Sequence, residues 1–212
     1  MKKITALFAV FVAATVLFAQ DLDSVCAALA SRPNTTGDFT QIKTISSNGR
    51  QLKSTGKFII SRKGIMWQTE KPFPSALILT EDSMIQIAAN GNKSVMSGKD
   101  NQIFTNISAT LSSVFSGDAS ALRANFDCEF TGADSASAGS ANHWSIKLTP
   151  KDSTIASVMN CLVLSGSVFQ GVASLEALEM QEASGNTIRY EFSNQKYPEE
   201  LSADEKKNFI TE

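Results

Sequence analysis

Few residues in this chain have the types and spacing that chemistry needs. Its one histidine, His143, sits in His143-Trp144-Ser145-Ile146-Lys147-Leu148, where polar and apolar residues alternate. Alternation at period two is strand patterning, and it puts His143 on the polar face, opposite Trp144. With no buried histidine, Ser-His-Asp and Cys-His arrangements lack their general base. Histidine-rich zinc sites lack ligands, and Cys26, Cys128 and Cys161 show no CxxC spacing. Gly98-Lys99 has no upstream glycine at P-loop spacing and is followed by Asp100; GxSxG and GxGxxG do not occur. The acid pairs Glu81-Asp82 and Glu199-Glu200 fall in turn or tail segments, where solvation explains them. These residues argue against an enzyme and call for neither metal nor cofactor.

The remaining signal is apolar, and it begins with targeting. Lys2 and Lys3 precede an almost unbroken apolar run from Ile4 to Phe18, followed by Ala19 and the polar Gln20-Asp21. That is the pattern of a secretory signal peptide over residues 1–19. The run falls short of the ~20 residues that a membrane span needs. Residues 20–212 then form a single soluble domain with a sizeable core. Removal of Lys2 and Lys3 takes the net charge from −2 to −4. A mildly acidic chain without a basic run suits neither nucleic acid nor an anionic membrane surface. Export to an oxidising compartment permits one disulfide, and Cys128–Cys161 is expected because both lie in strand-like contexts. Three small buried apolar cysteines are the equal alternative.

The elements that position these residues are mostly strands. Leu22, Val25, Cys26 and Leu29 recur at helical spacing ahead of Pro33, so a short amphipathic helix opens the domain. Phe39 to Ile45 reads as a strand, and Asn48-Gly49 turns it into a hairpin. Gly56 to Arg62, Ile65 to Thr69, Ala76 to Thr80 and Met84 to Ala89 continue the meander, with Asn90-Gly91 as a further turn. The prolines of Lys71-Pro72-Phe73-Pro74 cannot donate to a ladder, so that segment is a connection. Ile107, Leu111, Val114 and Phe115 share one helical face, Gly117 stops that helix, and Asp118 caps another through Phe126. A loop rich in Ala, Ser and Gly spans Gly132 to Asn142, and Ser153 to Leu164 fits either a helix or a buried strand. Leu178 and Met180 pair with Ile188, Tyr190 and Phe192 across Ser184-Gly185-Asn186, and Ser202 with Glu205 forms a capping box. The class is α+β, with one large antiparallel sheet and helical pieces that must cover something.

Three strands are apolar on both faces: Phe58-Ile59-Ile60, Ile65-Met66-Trp67 and Ala76-Leu77-Ile78-Leu79. An open antiparallel sheet normally keeps one face wet. Either helices pack on the second face as an ordinary core, or that face lines a cavity. Pattern alone leaves both open.

A resemblance adds a reading. Phe39-Thr40-Gln41, Gly56-Lys57-Phe58 running to Arg62-Lys63-Gly64-Ile65-Met66-Trp67, then Lys71-Pro72, then Trp144 to Lys151 are similar, in order, to motifs of the LolA family of outer-membrane lipoprotein carriers. Met66 stands where an arginine is common, and Arg62 sits five residues before Trp67, one fewer than usual. The Gly64-Ile65-Met66-Trp67 and Lys71-Pro72-Phe73-Pro74 segments also resemble a divergent branch tied to export of other lipids. The resemblance implies a half-open antiparallel β-barrel, a strongly curved single sheet with short helices forming a lid over an apolar cavity. It implies a monomeric periplasmic carrier without a cofactor, whose cargo is an acylated lipoprotein or a lipid. An inner-membrane lipoprotein-releasing transporter would load it and an outer-membrane receptor would unload it. Phe39, Phe58, Ile60, Trp67, Leu77, Leu79 and Met84 are the expected cavity lining. Arg62 is the expected latch, bonding carbonyls of a lid helix that carries Ile107, Leu111, Val114 and Phe115. A module sensing lipid or misfolded protein is the competing reading; this chain has no room for the second domain a sensor usually carries.

Overall fold

The computed structural model describes residues 21–80, 83–97, 113–132 and 141–209. The first helix, α1 (Leu22–Ala30), is fixed by a capping box. Ser24 N donates to the Asp21 carboxylate at 2.7 Å, and Asp21 N donates to Ser24 Oγ at 3.0 Å. Its stripe of Leu22, Val25, Cys26 and Leu29 is buried throughout.

Eleven strands make one sheet. The first meander comprises β1 (Asn34–Thr44), β2 (Gln51–Ser61), β3 (Gly64–Lys71), β4 (Ser75–Leu79), β5 (Ser83–Ile87) and β6 (Lys93–Ser97). After α2 (Ala119–Asn125), a second meander runs through β7 (Phe126–Gly132), β8 (Asn142–Pro150), β9 (Met159–Phe169), β10 (Val172–Glu182) and β11 (Thr187–Lys196). The short α3 (Ser153–Ala156) precedes β9, so the ambiguous stretch divides into a helical turn and a buried strand. The chain closes with α4 (Ala203–Lys207), capped by Ser202 with Glu205 as expected. Two strands exceed the sequence reading. β6 has little apolar content, and the helix capped by Asp118 stops at Asn125, so Phe126 opens β7.

The strand order is β6-β5-β4-β3-β2-β1-β11-β10-β9-β8-β7, antiparallel at every step. Pairing of β1 with β11, which sets Phe39 against Phe192 and Gln41 against Tyr190, joins the two meanders. The sheet curves but stays open, with β6 and β7 at its two ends. Bulges help to bend it. Register shifts at Thr55/Gly56, between β2 and β3, and at Leu175/Ala177, between β10 and β9. Gly56 lies beside the first and Gly166 opposite the second. A Cβ at Gly56 would collide with the Gln68 carbonyl, and one at Gly166 with the Ser174 carbonyl. Both glycines are required by close backbone approach.

The two apolar faces of the first meander have different partners. Phe58, Ile60, Ile65 and Leu79 point to the concave side and join the main core. Ile59, Met66, Ile78 and Ile85 point outward and form a second cluster, covered by Leu201 and Phe209 from the C-terminal segment. Asn34 Nδ2 ties that segment down, donating to the carbonyls of Pro198 and Glu199 at 3.1 and 2.9 Å.

The expected disulfide is not formed: Cys26, Cys128 and Cys161 are all free. Cys128 pairs with Leu148 and Leu148 with Leu162, a row on the concave side, whereas Cys161 is the next residue along β9. Successive strand residues face opposite ways, so Cys128 and Cys161 lie on opposite faces and their sulfurs cannot meet.

Candidate apolar site on the concave face

All seven residues expected to line a cavity are on the concave face. Phe39, Phe58, Ile60 and Leu79 are buried there, and Trp67, Leu77 and Met84 are half-buried against the same cluster. Register explains their convergence. Ile60 pairs with Ile65, Ile65 with Leu79 and Leu79 with Met84, so one apolar row crosses four strands. Phe58, Trp67 and Leu77 form the next row.

Rings fill the middle of the face. Phe58 meets Phe192 with centroids 4.8 Å apart, Phe39 meets Tyr190 at 5.6 Å, and Trp67 meets Tyr190 at 6.2 Å. These are edge- and tilt-type contacts that aromatic pairs favour. Burial pushes the Tyr190 phenol up to about 12, so it stays neutral throughout the physiological range. Tyr190 and Phe192 share this face without having been expected there from the sequence. Their alternation placed them on one face of a strand, but only the long-range β1–β11 pairing makes that face concave.

Helices roof part of this face. Cys26, Val114, Leu122, Leu148 and Leu164 are completely buried, so the roof over β8–β10 is tightly packed. Burial pushes the Cys26 thiol up to about 11, which leaves it protonated and unreactive. Arg123 of α2 grips Asp23 of α1 through two hydrogen bonds of 2.9 and 2.6 Å. That contact holds the Asp23 carboxyl below its ordinary range. Beside this packed region, Trp67, Leu77, Met84, Met180 and Tyr190 are only half-buried. The apolar face therefore extends beyond the described roof, and the Trp67 indole N–H lies buried in it without a hydrogen-bond partner.

The expected lid is seen in part. Val114 is buried and Phe115 packs on the core, both on the helical turn before α2; Ile107 and Leu111 lie outside the described residues. Arg62 is exposed in the β2–β3 turn. Its expected partner segment lies mostly outside the described residues.

His143 lies on the convex side, and Glu81, Asp82, Lys99 and Asp100 lie outside the described residues. His143 is exposed on β8, 3.9 Å from Glu176 through Nδ1, and Ser167 Oγ donates to Glu176 at 2.5 Å. The carboxylate stands between hydroxyl and imidazole, the reverse of the order that activates a serine. Among the described residues, no group of three or more His, Cys, Asp or Glu is placed to hold a metal. No described helix is long and apolar enough to cross a membrane.

Fold and face together define an open half-barrel with helices packed on part of its apolar concave face. The chain belongs to the LolA family: the sequence model described as outer membrane lipoprotein carrier protein LolA matches residues 33–207. Similar folds among solved structures include a LolA superfamily protein from Nitrosomonas europaea, at 10% identity and TM-score 0.45, covering 90% of this chain and 96% of that one. A DUF1329 family protein from Desulfovibrio piger aligns at 10% identity and TM-score 0.49, covering 85% and 92%. The lipoprotein LppX of Mycobacterium tuberculosis aligns at 9% identity and TM-score 0.43, covering 84% and 94%. A search of curated proteins found no match.

Proposed function

We propose that this chain is a periplasmic acyl-chain carrier. Residues 1–19 direct its export and 20–212 form one carrier domain. It takes acylated lipoprotein from an inner-membrane transporter and delivers it to an outer-membrane receptor. The observation that carries the reading is the partly buried apolar strip of Trp67, Leu77, Met84, Met180 and Tyr190 on the concave face, continuous with the packed core. An apolar chain laid on such a strip would complete its burial. Acyl chains suit this strip, because each buried CH₂ is worth ~0.8 kcal/mol and one chain supplies roughly 10 kcal/mol before costs. Phe39, Phe58, Ile60, Leu79 and Met84 extend the lining as the chain displaces roof contacts. The energy of roof closure offsets part of the gain and keeps delivery downhill.

Native mass spectrometry with lipid extraction, on mature protein from its own compartment, tests this. Recovered triacylated lipoprotein supports the full reading. A free lipid keeps the carrier mechanism and changes the cargo, in line with the lipid-export branch that Gly64 to Pro74 resembles. Empty protein that also refuses a fluorescent fatty-acid probe overturns it. Arg62 is proposed as the latch on the lid helix of Ile107, Leu111, Val114 and Phe115. Arg62→Gln should leave uptake intact and slow release to acceptor vesicles; unchanged release removes the latch.

A further inference from the structure

We propose that Arg32 is the headgroup anchor of the apolar face and selects a long-chain amphiphile ending in a carboxylate. The inference rests on the acyl-carrier reading and names its cargo more narrowly. Arg32 follows the C-cap of α1 and is half-buried at the end of the sheet where β1 begins. Its guanidinium carbon lies 3.3 Å from the centroid of the Tyr197 ring, a stacked cation–π contact. The platform is braced: Tyr197 Oη donates to Gln195 Oε1 at 3.1 Å, and Gln195 Nε2 donates to the Leu175 carbonyl at 2.6 Å.

The Arg32 Nη1 group is buried and has no hydrogen-bond partner. It borders a void of about 10 Å³, walled on the apolar side by Leu29, Phe58, Ile60, Phe115 and Phe192. Among the described residues, no carboxylate lines that void. A buried guanidinium N–H without an acceptor costs stability, and a planar oxyanion is the group whose geometry a guanidinium fork matches. Of the oxyanions that a guanidinium fork matches, the planar carboxylate is smaller than a tetrahedral phosphate.

A row of packed rings runs from this point into the proposed cargo site. Phe58 and Phe192, which wall the void, touch each other, and Phe192 stacks on Tyr190 with centroids 6.4 Å apart. Tyr190 in turn meets Trp67, beside Leu77 on the half-exposed strip. A carboxylate on Arg32 would thus send its chain along the rings toward Trp67 and Leu77. Phe115, on the turn before α2, is the side chain that must yield to admit it.

The test titrates mature protein with cis-parinaric acid and, separately, its methyl ester, which has the same chain but no charge. Wild type should bind the acid about ten- to a hundredfold more tightly, the range expected of a charge-assisted hydrogen bond. R32Q should erase that preference and leave ester affinity unchanged, and R32K, as a fold control, should retain part of it. An acid-to-ester ratio near one in wild type, or the same ratio in wild type and R32Q, overturns the anchor while ester binding upholds the carrier. A long-chain alkyl phosphate that displaces the acid through Arg32 with higher affinity overturns the choice of carboxylate. If wild type takes neither probe, the carrier reading falls and this inference falls with it.

Discussion

The two halves of the sheet are built for opposite purposes. At the middle of β8 and β9 the concave face is sealed beneath the helices, with Leu122 of α2 and Ile146, Leu148 and Leu164 fully buried. The convex face of the same half is wet and charged. Lys147 bonds Glu129 at 2.9 Å there, and Arg189 of the neighbouring β11 reaches Glu179 and Glu191 at 3.3 and 3.1 Å. From β2 to β5 the arrangement inverts. The convex face is apolar and covered by Leu201, while the concave face is left half-open at Trp67, Leu77 and Met84. One half supplies its stability from inside the curve. The other draws stability from both sides, from Phe58, Ile60, Ile65 and Leu79 inside the curve and from the cluster under Leu201 outside it.

That contrast orders the mutational consequences. Leu148→Ala in the sealed half should cost about 3 kcal/mol, as expected when a fully buried leucine leaves a cavity, measured by urea unfolding. A cost below ~1 kcal/mol would show that half to be loosely packed. Leu201→Ala should cost about 2 kcal/mol, since it uncovers the outer cluster of Ile59, Met66, Ile78 and Ile85. If that variant is as stable as wild type, the C-terminal segment is no cover. Leu77→Ala should cost only about 1 kcal/mol, as suits a half-exposed site, yet weaken fatty-acid binding several-fold. The two tryptophans sharpen the same comparison. A brominated fatty acid should quench Trp67 and leave Trp144 bright, so W144F keeps the quench and W67F loses it. Quenching confined to Trp144 would put the ligand in the wrong half.

The smallest expected effect is electrostatic. Glu182 is held below its ordinary range by hydrogen bonds from Lys43, at 2.7 Å, and Asn186, at 2.8 Å. A depressed folded-state value stabilises above the unfolded value near 4.5, and that contribution is lost as pH falls through the lower folded value. Glu182→Gln should therefore destabilise at pH 6 and converge with wild type in strong acid. Parallel pH–stability curves for the two would refute the coupling.

What could be read from the sequence was local. Asn48-Gly49 and Asn90-Gly91 mark real turns, with Gly49 and Gly91 at φ +68° and +81°. The alternation at Trp144, Ile146 and Leu148 gives β8 and its buried face directly. Leu22 to Leu29 gives α1. What failed was non-local. β6 shows only Val95 and Met96 as apolar residues, because an edge strand has little to bury. Doubly apolar strands announced a cover on each side, but nothing local identified the C-terminal segment as one of them. The strands that bring the expected lining residues onto one face were legible because FTQ-like and Trp-containing segments carried the family resemblance. Tyr190, Phe192 and Arg32 were not, since their place depends on where β11 docks and where the chain after it turns back. Cys128 and Cys161 show the limit of context without register: both are in strands, yet one residue of phase separates the faces they occupy.

The sheet ends at β6 and β7 without joining them. A closed barrel has its girth fixed by strand number and stagger, so widening it means breaking a ladder. This sheet has no such constraint. Its two free margins can move apart or together by small changes of twist distributed over ten ladders, with every interstrand hydrogen bond kept. A half-barrel of that kind can change its girth at the elastic cost of bending and without local unfolding.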